Sequence, residues 1–217
     1  MLYDLLKFAH IVGAVLIGAG LIGVFVSDLR SRQLRDLAPF AEAVRNIAVF
    51  YDGLVVPGAL LLLASGTWLI AEFHGGWAAL REPWIAGMVG LFAFEFVEGN
   101  TVTRAYFTRL RRVTRAALAA GAITPELERA RGERVPTFTH FLDLPILLVI
   151  IALGAMRPDG WVPLIAGMAS AVLVATALTV ILPRMYPWGL LPPMSRRKAG
   201  VLRGRFAVQE DFDDPLP

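Results

Sequence analysis

Five ionisable side chains fall inside long apolar stretches of this chain, where charge is energetically expensive and such residues are candidates for function. They are His10, Glu95, Glu98, His140 and Asp143. Imidazole and carboxyl groups can ligate metal ions, and they can also accept and release protons. The chain has no cysteine, which excludes disulfides and thiolate metal sites. Any bound metal or cofactor must therefore be held by histidine, methionine, carboxylate or backbone groups.

One group of candidate ligands lies toward one side of the expected membrane, and it combines imidazole and thioether side chains. Imidazole nitrogen and thioether sulfur are ligands of haem iron and of Cu(I). The alternative is that His10 hydrogen-bonds a neighbouring helix, that His74 is a solvated loop residue and that the methionines fill packing gaps. The candidate ligands are His10, His74, Met88 and Met168.

The histidines at positions 10 and 140 are expected at different depths. At a rise of about 1.5 Å per residue, His10 lies roughly 9 Å below the outer surface and His140 about 5 Å from the inner one. Two axial ligands of one haem iron are only about 4 Å apart, because each iron–nitrogen bond is near 2 Å. The sequence therefore predicts that these two histidines do not ligate the same iron.

A second group consists of carboxyl side chains in the inner half of the membrane. Glu95 and Glu98 are three residues apart and share a helix face. Glu98 and Asp143 are both expected about 10 to 12 Å from the inner surface. They are candidates for a network that passes protons or pairs with arginine, and the alternative is a buried ion pair that fixes helix register. Nearby polar residues are His140, Asn100 and Arg104.

These side chains must be positioned by membrane-spanning helices. A span needs roughly 20 apolar residues, and 56% of this chain is hydrophobic while only 18% is charged. The sequence predicts an all-α transmembrane bundle with five spans, over residues 5–26, 49–70, 84–106, 137–156 and 162–182. We expect residues 1–185 to form this bundle and residues 186–217 to form a cytoplasmic tail.

The distribution of basic residues predicts the orientation. Of the 21 Lys and Arg residues, all but three fall on one side of the five predicted spans. The three on the other side are Lys7, Arg81 and Arg157. Cytoplasmic loops carry this excess, so we expect a multi-pass protein of the bacterial inner membrane with the N-terminus outside and the C-terminus in the cytoplasm. The net charge of +3 then reflects topology and contact with lipid, and no nucleic-acid partner is expected.

Two local patterns complete the expected architecture. Helix is expected to continue from Arg109 to Ala120 beyond the third span and to end at Gly121, and Thr124 followed by Pro125 is typical of a new helix start. The first span has small residues four apart, which allow close helix packing or provide a smooth wall for a flat ligand. These pairs are Ala9 and Gly13, Ala14 and Gly18, and Ala19 and Gly23.

Three segments resemble a known family. Residues 6–13, continuing through Gly18 and Gly20 to residues 28–30, resemble the first span of the HemJ-type protoporphyrinogen oxidases. Pro57 and residues 65–69 before Gly76 and Trp77 are similar to its second span, and residues 141–145 and 156–158 to its fourth. The CopD-type copper-resistance membrane proteins share this plan, as does a family of predicted bacterial integral membrane proteins with no assigned function. The chain resembles this last family in particular, over about residues 3–158.

The resemblance implies specific functions. The HemJ-type family implies a haem b-dependent membrane oxidoreductase with His10 as an axial ligand. Our leading hypothesis adds that Glu95, Glu98 and Asp143, identified above from the residues, handle protons. This chain has residues 84–87, Trp-Ile-Ala-Gly, where that family has a lysine early in its third span. The CopD-type family implies a copper site at the candidate ligands named above. A scaffold or assembly subunit without a cofactor, which binds a membrane redox partner or a second copy, is the third hypothesis.

Overall fold

The computed structural model describes residues 1–189, and these residues form helices and connecting turns. Five helices are long and apolar enough to cross a membrane, which confirms the predicted all-α transmembrane fold. Several of them are longer than the apolar stretches that predicted them. They are Leu2–Gln33, Leu37–Phe73, Pro83–Ala120, Arg134–Met156 and Val162–Met185.

The second and third spanning helices are each interrupted by a π-helical turn. The first spanning helix, α1, is Leu2–Gln33. The second consists of α2 (Leu37–Phe50), a first π-turn (Tyr51–Val55) and α3 (Val56–Phe73). A 3₁₀-helix, Gly76–Arg81, leads into the third, which consists of α4 (Pro83–Glu98), a second π-turn (Gly99–Thr103) and α5 (Arg104–Ala120). The remaining helices are α6 (Pro125–Arg131), α7 (Arg134–Met156) and α8 (Val162–Met185).

The bundle has two ends that differ in composition. The arginine-rich end carries residues 34–36 and 121–133, and the Met1 end carries residues 74–82 and 157–161. Helix α1 packs on α3 and on α7, and α7 also packs on α4 and α8. At the arginine-rich end α2 packs on α5, whereas α3 and α4 have no comparable contact.

Glycines bring the backbones of α1 and α3 into direct contact. A Cβ atom on Gly13 would lie 3.0 Å from the carbonyl oxygen of Gly58, and a Cβ on Gly58 would lie 2.9 Å from that of Gly13. Gly20 and Gly23 lie equally close to side chains of the second spanning helix. Of the two alternatives for the small residues of the first span, these three glycines of α1 are used for helix packing.

The hydrophobic core continues beyond the apolar spans at the arginine-rich end. Phe40 of α2, Leu110 of α5 and Leu127 of α6 are fully buried in one cluster. As predicted, α5 ends at Gly121 with a left-handed φ of 64°. The Thr124 hydroxyl accepts a hydrogen bond from the backbone N–H of Leu127 at 3.3 Å, which confirms the predicted helix start. The long helices thus end in a small packed layer of α2, α5 and α6.

The chain returns to this layer after α8. The Trp188 ring lies 4.5 Å from the guanidinium carbon of Arg32 and 5.5 Å from that of Arg131. Its indole N–H donates to the Arg131 carbonyl oxygen at 3.2 Å, and burial lowers the pKa of the Arg131 guanidinium. Both arginines are therefore placed for cation–π contacts with one indole. The first residues of the predicted tail pack on the bundle, and residues 190–217 of that tail lie outside the described residues.

Candidate functional site: a buried carboxyl cluster

Helices α4 and α7 bring three carboxyl groups together inside the bundle. Glu95 and Glu98 lie one turn apart on α4, and the Asp143 carboxyl of α7 lies beside Glu95. Glu98 is 8% exposed and Asp143 is 3% exposed, whereas Glu95 is only partly buried. Each of the three groups has one buried oxygen without a hydrogen-bond partner, namely Glu95 Oε1, Glu98 Oε2 and Asp143 Oδ1. We call these three residues the carboxyl cluster.

Both π-turns adjoin the carboxyl cluster. The second π-turn begins directly after Glu98, and its last residue, Thr103, donates a hydrogen bond to Glu98 Oε1 at 2.8 Å. The first π-turn begins at Tyr51, whose hydroxyl lies against Gly99 and close to the carboxyl cluster. The hydroxyl of Thr139 on α7 lies 3.2 Å from that of Thr103. Because π-turns often occur at functional sites, their meeting here singles out this region of the bundle.

The residues expected to pair with the carboxyl cluster have other partners. Arg104 donates to Asp52 at 3.0 Å, and both side chains are about half exposed. The Asn100 amide donates to the carbonyl oxygen of Phe96 at 2.7 Å. The expectation that Arg104 and Asn100 join the carboxyl network is therefore wrong. The Arg104–Asp52 ion pair instead connects the two π-turn regions on the outside of the bundle.

Within residues 1–189, no lysine or arginine pairs with the carboxyl cluster. The nearest basic atom in an ion-pair contact is Nδ1 of His140, 3.9 Å from Asp143 Oδ2. A fully buried ion pair is found in α1, where Arg32 donates to Asp28 at 2.9 Å and both side chains are 3% exposed. Both residues of this pair lie on α1, one turn apart, so the pair does not supply the ion pair between helices that was the alternative for the carboxyl cluster.

His140 extends the carboxyl cluster toward the arginine-rich end. It is 4% exposed, and neither ring nitrogen has a hydrogen-bond partner. Three aromatic rings surround it: Phe107 and Phe141 with centroids at 5.2 Å, and Phe25 at 6.3 Å. The imidazole therefore lies among aromatic rings, with the Asp143 carboxylate 3.9 Å from Nδ1 and the Asp28–Arg32 ion pair also nearby.

His10 lies between α1 and α3. Its Nδ1 is 3.2 Å from the Ser65 hydroxyl oxygen, and that oxygen is also 2.6 Å from the carbonyl oxygen of Leu61. When the hydroxyl donates to Leu61, the serine oxygen accepts from Nδ1–H of His10, and this arrangement leaves the lone pair on Nε2. Gly66 lies against the ring, where a Cβ atom would come within 3.0 Å of Cε1. A histidine held in this way has Nε2 available as a ligand.

The other candidate ligands have separate surroundings. His74 donates from Nδ1 to the carbonyl oxygen of Leu69 at 3.1 Å, and the sulfur of Met88 lies against Gly154. Met168 is 44% exposed on α8. Among the described residues, no three His, Asp or Glu side chains are placed to hold a metal ion together. Copper binding at His10 and His74 stays a prediction.

Comparison with known families gives one match. A family model described as "Predicted integral membrane protein (DUF2269)" matches residues 4–158. The chain belongs to this family. The range matched by DUF2269 contains His10 and the whole carboxyl cluster, and it ends before α8 begins. No curated protein and no solved structure matches the chain at a significant level.

Sequence reasoning missed part of the site. Tyr51 and Thr103 lie in π-turns, for which we found no local sequence signal. Ser65 and Gly66 contact His10. Both lie in residues 65–69, and the resemblance of that segment to the second span of the HemJ-type family was the signal that could have singled them out. The role of the carboxyl cluster in handling protons is untested and stays a prediction.

Proposed function

We propose that this DUF2269 protein binds and transfers protons within the membrane, with Glu95 and Asp143 as the central pair. The observation that carries the proposal is the carboxyl cluster itself, which within residues 1–189 has three buried oxygens that lack partners and no lysine or arginine in ion-pair contact. Intramembrane carboxyl groups of this kind occur in proton relays.

A carboxyl cluster in which two groups share a proton is electrostatically more favourable than one in which all three carboxyl groups are ionised. Ionised carboxylates in a low-dielectric interior are costly unless they are paired. Two adjacent carboxyl groups avoid this cost by holding one proton between them. A proton between Glu95 and Asp143 supplies the missing donor, while Glu98 accepts from the Thr103 hydroxyl.

A route for the proton leads from Asp143 to His140. The 3.9 Å between Asp143 Oδ2 and His140 Nδ1 is too long for a direct hydrogen bond, and one bridging water would connect the two groups. Imidazole accepts a proton on one nitrogen and releases it from the other. By the positive-inside rule, we expect the basic residues beyond His140, and with them this end of the route, to face the cytoplasm of a bacterial cell.

Infrared spectroscopy of the detergent-purified protein tests this proposal. We expect a carboxylic-acid C=O band that shifts on exchange into D₂O and that changes in frequency or amplitude in both Asp143→Asn and Glu95→Gln. The control is Glu72→Gln, which changes an exposed carboxylate of α3 and should leave the band intact. An identical band in wild type and Asp143→Asn would contradict a proton held at this pair.

A second function, haem b-dependent redox chemistry, is favoured by one observation. The Ser65 hydroxyl contacts Nδ1 of His10, a contact that orients the ring with Nε2 available to ligate a metal, and the resemblance of the first span to the HemJ-type proteins implies haem at this position. Bound haem b would carry the electrons, and the part played by this chain would be to hold Nε2 in place through Ser65. A membrane redox partner would then be required.

A reduced-minus-oxidised absorption spectrum of protein from haem-supplied cells tests this second function. We expect a b-type signal in wild type and in His74→Ala, and its loss in His10→Ala. Ser65→Ala should weaken haem retention, because the imidazole loses the hydrogen bond that orients it. A colourless wild-type preparation counts against haem and leaves the proton proposal standing.

A further inference from the structure

A cleft at the arginine-rich end is separate from the carboxyl cluster. It lies between α2 and α5 and has a volume of about 180 Å³. Arg45 of α2 and Arg111 and Arg115 of α5 line it together with one carboxylate, that of Glu42. Ala38 and Ala41 line the cleft on the α2 side, where small side chains leave space between the guanidinium groups.

The charges around this cleft are unbalanced. Arg45 donates to Glu42 at 2.6 Å, so the one carboxylate is already paired. Arg111 and Arg115 are one helical turn apart on α5, and within residues 1–189 neither forms an ion pair. Like charges at this spacing repel each other. A bound anion would relieve the repulsion and give these two guanidinium groups a partner.

We infer that this cleft binds a phosphate group. Guanidinium groups match the geometry of phosphate oxygens and form charge-assisted hydrogen bonds with them. Arg111 lies seven residues past Arg104 on the third spanning helix, and Arg45 lies seven residues before Asp52 on the second. The cleft is therefore about 10 Å further along these helices than the Arg104–Asp52 ion pair. The phosphate belongs either to a lipid headgroup, which basic pockets at this side of a bundle bind, or to a soluble compound.

Thermal unfolding of the full-length protein in detergent tests the inference with two probes. One is inorganic phosphate, compared with sodium chloride at equal ionic strength, and the other is dihexanoyl phosphatidylglycerol. We expect a saturable rise in Tm with at least one probe. In Arg111→Gln/Arg115→Gln two guanidinium donors to the phosphate are lost, so the half-saturating concentration should rise about tenfold or more.

The control is Arg112→Gln, which removes the same charge from an exposed position of α5 outside the cleft and should respond like wild type. Ala41→Phe fills the cleft without changing its charge and should also lose the response, which covers the case in which the double variant fails to fold. Saturation with inorganic phosphate indicates a soluble compound, and saturation with phosphatidylglycerol alone indicates a lipid. No saturable response to either probe, or an unchanged one in the double variant, overturns the inference.

Discussion

The hydroxyl oxygen of Tyr51 lies where a side chain on Gly99 would begin, since a Cβ atom on Gly99 would be 2.6 Å from that oxygen. Tyr51 opens the first π-turn and Gly99 opens the second. The two interrupted helices therefore meet beside the carboxyl cluster, and the absence of a side chain at position 99 makes room for the hydroxyl.

The first prediction concerns this contact. Gly99→Ala should lower the free energy of unfolding by about 1–3 kcal/mol, because the new methyl group overlaps the Tyr51 hydroxyl. Tyr51→Phe removes the hydroxyl and should recover most of this loss in the double variant. Thermal or denaturant unfolding in detergent, analysed as a double-mutant cycle, measures the coupling. Gly90→Ala is the control, because a Cβ there meets nothing within 4 Å; equal stability of the two alanine variants would contradict the prediction.

The second prediction concerns the crossing of α1 and α3. Gly58→Ala places a methyl group 2.9 Å from the backbone oxygen of Gly13 and the backbone nitrogen of Ile17. Backbone atoms cannot rotate away as a side chain can, so the helices must separate, and we expect a loss of about 1–3 kcal/mol in unfolding free energy. Gly53→Ala, which meets open space, should be neutral or slightly stabilising. The same unfolding assay compares the two, and a stable Gly58→Ala protein would show that the crossing is looser than described.

The third prediction concerns the buried ion pair of α1. Arg32→Met leaves the carboxylate of Asp28 buried without its partner, which should cost about 3–5 kcal/mol. Asp28→Asn/Arg32→Met removes both charges and should be clearly more stable than Arg32→Met alone. Arg30→Met, at an exposed position of the same helix, is the matched control. The prediction fails if Arg32→Met and Arg30→Met unfold at the same temperature.

The fourth prediction concerns the contact of α8 with the rest of the bundle. Ala175 is fully buried and packs in one cluster with Leu91 of α4 and Leu142 of α7. Ala175→Leu adds volume at this point and should reduce stability by about 1–3 kcal/mol. Val174→Leu, on the exposed face of α8, should have little effect. Melting temperatures in detergent distinguish the two, and equal values would place α8 further from α4 and α7 than the structure does.

The spanning helices could be predicted because the length and apolar character of each stretch can be read from the sequence. Their ends at the arginine-rich end of the bundle were harder to predict. Helix α2 and the later turns of α5, at the arginine-rich end, carry charge on one face. On the opposite face they bury Phe40 and Leu110. Because the charged face lowers the average hydropathy of these segments, the apolar stretches in the sequence end before the helices do. The Arg109–Ala120 extension could be predicted because a helix stop, Gly121, and a helix start, Thr124 with Pro125, follow it.

The carboxyl site was predicted in part for a similar physical reason. Depth along each helix brought Glu98 and Asp143 to one level, and the structure places them together. The sequence put Arg104 near the carboxyl residues, but the second π-turn has a wider turn than an α-helix, so the residues after it point in a different direction. Arg104 therefore reaches Asp52 on the outside. Such turns depend on contacts such as Tyr51 with Gly99, which adjacent residues do not reveal.

The position of α8 has a consequence for the electric environment of the bundle. Its buried alanines, Ala171 and Ala175, lie over the joint between α4 and α7, the two helices that carry the carboxyl cluster. This helix lies outside the matched family range, and it adds a layer of hydrocarbon that belongs to the protein. In a low-dielectric layer of this kind the charges beneath it interact more strongly than they would near water. On this side of the carboxyl cluster, protein side chains as well as lipid therefore set the dielectric surroundings.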